Sequence, residues 1–217
     1  MIFDKNNLPK KLNKFIVIEG INGSGKTTLL NNLKKFFTKN NLDFSFGKEP
    51  GGTQIGDKLR DVVLSASDLE NETEFFIMSA SRTEYIKKVI LPTINSGKFF
   101  ISDRYYYSSL AFQSYAGGLD FSFVHAISKI IVNDCIPDIT FILDVDLETA
   151  FKRIALRNQT ELDAFESKKL EYHTKVRNGY LDITKKLGER FYIIDASKDE
   201  DYIANAAANV LKEIYKI

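Results

Sequence analysis

The chain has 217 residues, room for one domain with a sizeable core, and its 44% hydrophobic and 27% charged residues suit a folded rather than a disordered chain. Thirty Lys and Arg against 29 Asp and Glu leave a net charge of +1, so bulk attraction to nucleic acid or an anionic membrane is not an organising principle, and any anion site must be built locally. One cysteine, Cys135, excludes an internal disulfide or a multi-cysteine metal cage, and two histidines, His125 and His173, are too few for a histidine-rich one.

Residues 1–14 are polar, rich in Lys and Asn, and predicted to be a loosely held extension without the apolar core of an export signal. No run approaches the ~18 apolar residues of a membrane span, so a cytoplasmic protein is expected. Phe15-Ile16-Val17-Ile18 is a short apolar run that stops at Glu19-Gly20, as a buried parallel strand does. A helix follows over 25–38, with Leu29, Leu30, Leu33, Phe36 and Phe37 at helical spacing. Residues 43–48 form a second strand, closed by Pro50-Gly51-Gly52. Helices are predicted over 55–65 and 72–95, then a strand over 99–102 that ends at Asp103-Arg104. Helical segments at 105–116 and 121–134 precede the strand 139–143. A helix over 147–157, a polar connector over 158–165, a helix over 166–187, a strand over 191–194 and a helix over 200–215 complete the chain. Short apolar strands alternating with helices predict an α/β fold, a parallel sheet covered on both faces in three layers.

Gly20-Ile21-Asn22-Gly23-Ser24-Gly25-Lys26-Thr27 fills the pattern G-x-x-x-x-G-K-[ST] between an apolar strand and a helix. The glycines let backbone N–H groups point at a phosphate, Lys26 reaches the outer phosphates, and the Thr27 hydroxyl is placed for Mg²⁺. The positive end of the helix dipole adds to the same site. The loop and Thr28 are therefore the expected ATP-binding segment of a P-loop NTPase fold. Asp103, at the end of another apolar strand, is the acidic partner expected to orient the metal. Asn40-Asn41-Leu42-Asp43 is not a guanine signature and lies too early in the chain, which speaks against a GTP switch.

Further segments carry a resemblance: Lys48-Glu49-Pro50-Gly51-Gly52-Thr53, Ser79-Ala80-Ser81-Arg82, Asp103-Arg104-Tyr105, Ser108-Ser109-Leu110-Ala111-Phe112-Gln113 and Pro137-Asp138-Ile139-Thr140. In order and separation, over about residues 15 to 215, they resemble the bacterial thymidylate kinase family. That resemblance implies a kinase domain over 15–217 with a five-stranded sheet and a lid at about 153–166. It also implies Mg²⁺-dependent transfer of the ATP γ-phosphoryl group to dTMP, in a homodimer that binds neither nucleic acid nor membrane. The chemistry has no covalent intermediate, so the protein must align two anions and neutralise charge.

Lys outnumbers Arg 23 to 7, so Arg is used where a planar fork is needed. Arg60, Arg82, Arg104, Arg153 and Arg157 fall where the resemblance places the site, whereas Arg177 and Arg190 read as surface residues. The resemblance implies that Arg104 and Arg60 hold the dTMP phosphate and that Arg82 and Gln113 meet the thymine. Ser109, Phe112 and Gln113, at i, i+3 and i+4, share one face, and Met78 and Arg82 another. Glu49 and Pro50, joined by a peptide that the resemblance implies is cis, and Asn22 and Ser108 complete the expected dTMP site; Lys26, Arg104, Arg153 and Arg157 are the expected catalytic cations.

The chain departs from the family at four places. Asn22 stands where a carboxylate is usual, Met78 for phenylalanine, Phe112 for tyrosine and Ala164 for a lid arginine, with Gly23 offering no replacement. Arg153 or Arg157 is expected to supply the missing charge. A kinase for another pyrimidine monophosphate or a deoxynucleoside, and a weakly active nucleotide-binding module, stay open at this point.

Overall fold

The computed structural model describes residues 12–66, 68–133, 135–157 and 169–217, with the Arg157 side chain excepted. Five parallel strands form one sheet in the order β2-β3-β1-β4-β5: β1 (Phe15–Glu19), β2 (Phe44–Lys48), β3 (Phe99–Asp103), β4 (Ile139–Asp144) and β5 (Phe191–Asp195). β1, β3, β4 and β5 match the apolar runs in the sequence, and β2 matches the segment read over 43–48 before Pro50-Gly51-Gly52. Every residue of β1 is buried, as are all but the last of β3 and β4. The two edge strands are less covered: β2 has no buried residue, and β5 has two, Phe191 and Ile194.

The register sets the site. Ile18 pairs with Asp103, Lys48 with Asp103, and Glu19 with Ile142, so these side chains gather at the carboxyl end of the sheet. Ligands of open parallel sheets bind at that end, where the strand order reverses around β1. Helices α1 (Lys26–Lys39), α2 (Gln54–Ser65), α3 (Asn71–Tyr85), α4 (Leu91–Asn95), α5 (Tyr106–Ser109), α6 (Phe121–Val132), α7 (Leu147–Arg157), α8 (Leu170–Lys186) and α9 (Glu200–Tyr215) cover the sheet.

Two predicted helices wind differently from the expectation. The helix read over 72–95 breaks into α3, a π segment at Ile86–Ile90 and α4. Pro92 explains the break, since its ring lacks an N–H and clashes with the carbonyl four residues back. The segment read over 105–116 is α5 followed by a π segment at Leu110–Ala116, closed by a bond from Gly117 N–H to the Phe112 carbonyl at 2.8 Å.

Residues 1–11 of the predicted extension lie outside the described residues, but its end is tied down. Asn13 N–H donates to Asp138 Oδ1 at 2.9 Å, and the Lys14 ammonium to the Gly97 carbonyl at 2.7 Å. Asp138 also accepts from Phe15 N–H and from the Tyr215 hydroxyl, so the Pro137-Asp138 motif clasps the start of β1 to the end of α9. Arg177 and Arg190 are half-buried rather than on the surface. Arg177 grips Asp144 with two bonds of 2.6 and 3.0 Å, and Arg190 donates to the Asp138 carbonyl at 2.8 Å. The lid residues 158–166, Ala164 included, lie outside the described residues.

Candidate active site

The P-loop follows β1 and opens α1. Gly20, Gly23 and Gly25 take φ of +144°, +79° and +93°, the left-handed side of backbone space where a side chain is strained. At Gly23 space is also lacking, since a Cβ would lie 2.3 Å from the Ala150 carbonyl of α7. Gly25 caps α1 with no side-chain hydrogen bond, and no acidic residue occupies the first turn. The helix therefore presents open N–H donors and an uncancelled dipole, which is what an anion requires. The Lys26 ammonium folds back on the Gly20 and Ile21 carbonyls, each at 3.1 Å.

A cleft of about 810 Å³ opens over this loop. Asn22, Gly23, Gly25, Lys26, Thr27 and Thr28 of the expected ATP segment line it, with Asp103 and Arg153. Gly20, Ile21 and Ser24 do not face it. Gly20 and Ile21 form the underside of the loop against Tyr180, and Ser24 is fully buried. Arg153 donates to the Ala196 carbonyl at 2.8 Å, which holds its guanidinium at the cleft wall. Lys48, Lys198 and Glu200 also line this cleft. Lys48 ends β2 and opens the Lys48–Thr53 motif, whereas Lys198 lies between β5 and α9 and Glu200 opens α9, where no motif marked them.

A second pocket adjoins the first. Its lining is Asn22, Glu49, Pro50, Arg60, Met78, Arg82, Arg104, Ser108, Ser109, Phe112 and Gln113, all eleven residues expected from the sequence, with Leu64 added. Leu64 stands four residues after Arg60 on α2, a helical spacing that could have revealed it. The π winding after α5 matters here. An i→i+5 helix brings residues four and five apart over one another, so Ser108 and Ser109 share one side with Phe112 and Gln113.

Buried charges frame the pocket. Arg82 is 3% exposed and donates from Nε to Glu49 Oε2 at 2.7 Å, from Nη1 to Ser109 Oγ at 3.0 Å and from Nη2 to the Tyr105 carbonyl at 3.3 Å. The peptide joining Glu49 to Pro50 is cis. Burial pushes the Glu49 carboxyl up to about 7, against the opposing pull of the Arg82 guanidinium. Arg104 follows β3 at φ +74°, an uncommon value for a residue with a side chain. Its guanidinium donates to Asn22 Oδ1 at 2.6 Å, to the Gly20 carbonyl, to Ser108 Oγ and to the Tyr180 hydroxyl. It also stands over the Phe112 ring, 5.1 Å from the centroid.

Beneath lies Glu19, fully buried, which accepts from Tyr105 N–H, the Ser108 hydroxyl and the Tyr180 hydroxyl at 2.7–2.8 Å. Burial raises its carboxyl above the usual range, opposed by Arg104 and by these hydrogen bonds. Its place at a strand end identified it as a boundary but not as the hub under Arg104. His173 and Cys135 are buried away from both clefts.

Comparison with known proteins agrees with this geometry. A family model described as Thymidylate kinase matches residues 18–207. A thymidylate kinase of Onion yellows phytoplasma is 38% identical over 208 residues, covering 94% of this chain and 99% of the relative. One from Clostridium novyi is 35% identical over 200 residues, covering 91% and 98%. The crystal structure of thymidylate kinase from Ehrlichia chaffeensis superposes with a TM-score of 0.74 at 30% identity, covering 93% of this chain and all of that one. The motifs, the sheet order, the paired clefts and these likenesses converge, and the chain belongs to the thymidylate kinase family, whose members are ATP-using phosphotransferases.

Proposed function

We propose that the chain transfers the γ-phosphoryl group of ATP, seated on the P-loop, to dTMP seated in the adjoining pocket, giving ADP and dTDP. The observation that carries this reading is that Asn22, Glu49, Arg60 and Arg104 line both cavities, so the anionic ends of two nucleotides would meet there. Lys26 and the open end of α1 hold the ATP phosphates. Arg104 and Arg60 bind the dTMP phosphate and align its oxygen for in-line attack. Arg82 and Gln113 address the base edge, Met78 covers the ring, and Phe112 and Asn22 border the sugar. Arg153, or Arg157, neutralises charge on the group in flight.

The residues fit a magnesium ion. Asp103 Oδ1 is buried without a hydrogen-bond partner and Thr27 is exposed in the same cleft. Among the described residues no cluster of three or more His, Cys, Asp or Glu could form a protein cage, which suits a cation that keeps waters and substrate phosphates as its other ligands. Asp103 and Thr27 would hold Mg²⁺, which when bound would supply positive charge to neutralise the phosphates. The domain assignment over 15–217 with its lid, a cytoplasmic setting and a homodimer belong to the same reading. An apolar patch on α3 and α6 supports the dimer, with Phe76, Phe123 and Ile130 52%, 39% and 75% exposed. Among the described residues no helix is long and apolar enough to cross a membrane.

The test is a coupled ADP-release assay with Mg²⁺ and a panel of dTMP, dUMP, dCMP and thymidine. The expected outcome is fastest turnover with dTMP. Faster turnover of another member would move the substrate, and ATP binding without transfer to any would reduce the chain to a binding module.

A further inference from the structure

The base pocket contains a polar group whose orientation is decided outside it. Gln113 is 3% exposed, and its Nε2 donates to Glu74 Oε1 at 2.7 Å. The other end of the amide, Oε1, is buried with no hydrogen-bond partner, on a side chain that lines the pocket. A carboxamide has two ends of nearly equal shape and opposite hydrogen-bonding character, so a free Gln113 could present either. A carboxylate only accepts, so Glu74 takes the NH₂ end. Glu74 precedes Met78 and Arg82 by four and eight residues, on the stripe of α3 that faces the pocket.

We propose that Glu74 locks the Gln113 carboxamide with its carbonyl toward the base, so that the pocket selects pyrimidines bearing a proton on N3 over 4-amino pyrimidines. This rests on the dTMP reading of the pocket and names how that site discriminates. Thymine and uracil offer N3–H to the carbonyl. A cytosine-type base offers a lone pair at N3, which would leave two buried acceptors facing each other without a hydrogen bond. Arg82 makes the same choice from the other direction. Three of its five N–H groups are engaged by Glu49, Ser109 and Tyr105, and a guanidinium can only donate, which suits a 4-keto oxygen and opposes a 4-amino group. Glu74 is thus a positioning residue that acts through Gln113.

Titration calorimetry on the full chain, with dTMP and 5-methyl-dCMP as ligands, tests this. The two differ only in the 4-substituent and the N3 proton. Glu74→Gln keeps the shape but can pair with either end of Gln113. It should lower the preference for dTMP about tenfold or more, mainly through tighter 5-methyl-dCMP binding. A purely structural role would weaken both ligands together, and a preference unchanged within about twofold overturns the proposal. If Glu74→Gln does not fold, Glu74→Met, which also frees the amide, carries the same comparison. Gln113→Leu separates this inference from its basis: unchanged dTMP affinity there would remove the base site itself. Weakened affinity there, with the preference intact in Glu74→Gln, sinks the orientation alone.

Discussion

Arg153 and Glu49 show how burial and partners set what a single side chain does. Arg153 is held to the Ala196 carbonyl at the wall of the P-loop cleft, away from the pocket that contains Met78 and Gln113. Arg153→Ala should therefore cut kcat about 100-fold or more while leaving the KM for dTMP within about threefold, measured by steady-state kinetics. Parallel measurements on Arg157→Ala show which of the two supplies the charge. Glu49 predicts a pH dependence of stability. Its carboxyl sits at about 7 when folded against 4.5 ordinarily, so the folded state holds the proton more tightly. The stabilisation from that proton is complete below about pH 4.5 and is lost as pH rises through about 7. Relative to Glu49→Gln, the wild type should lose up to about 3 kcal/mol between pH 4.5 and pH 7.5, read by urea unfolding. A flat difference would place the proton elsewhere.

Among the elements, the P-loop packs directly on the backbone of α7. Gly23 meets the backbone of Ala150, which cannot swing aside as a flexible side chain could. Gly23→Ala must move the loop or the helix, so ATP affinity should fall at least tenfold and the thermal midpoint by several degrees, measured by calorimetry and thermal melting. The strands and most helices were legible because buried runs such as Phe15–Ile18 and stripes such as Leu29, Leu30 and Leu33 follow their periods directly. The winding of the helices was less legible. The π segments at 86–90 and 110–116 arise from Pro92 and from tertiary packing, and apolar spacing has no separate signature for them. Within the pocket, motif residues such as Arg82 and Gln113 could be named in advance. Glu74 and Lys198 could not, because each enters through the meeting of elements far apart in sequence.

At the scale of the whole molecule, the single cysteine reports on global unfolding. Cys135 is buried, its carbonyl accepts from the Tyr105 hydroxyl at 2.8 Å, and burial pushes its thiol up to about 11. At pH 8 it should react with a thiol reagent at least 100-fold more slowly in the native protein than in urea, followed by absorbance. Rapid native labelling would mean that the β4 entrance opens locally. The wall common to the two cavities has a thermodynamic corollary. Asn22, Glu49, Arg60 and Arg104 face both cavities, whereas Met78 faces one. Neither nucleotide can then be a spectator to the other: whatever factor ATP imposes on the grip for dTMP, dTMP must return to ATP in equal measure. Asn22→Ala should change that mutual factor and Met78→Ala should leave it alone, which paired equilibrium titrations with a non-hydrolysable ATP analogue would reveal.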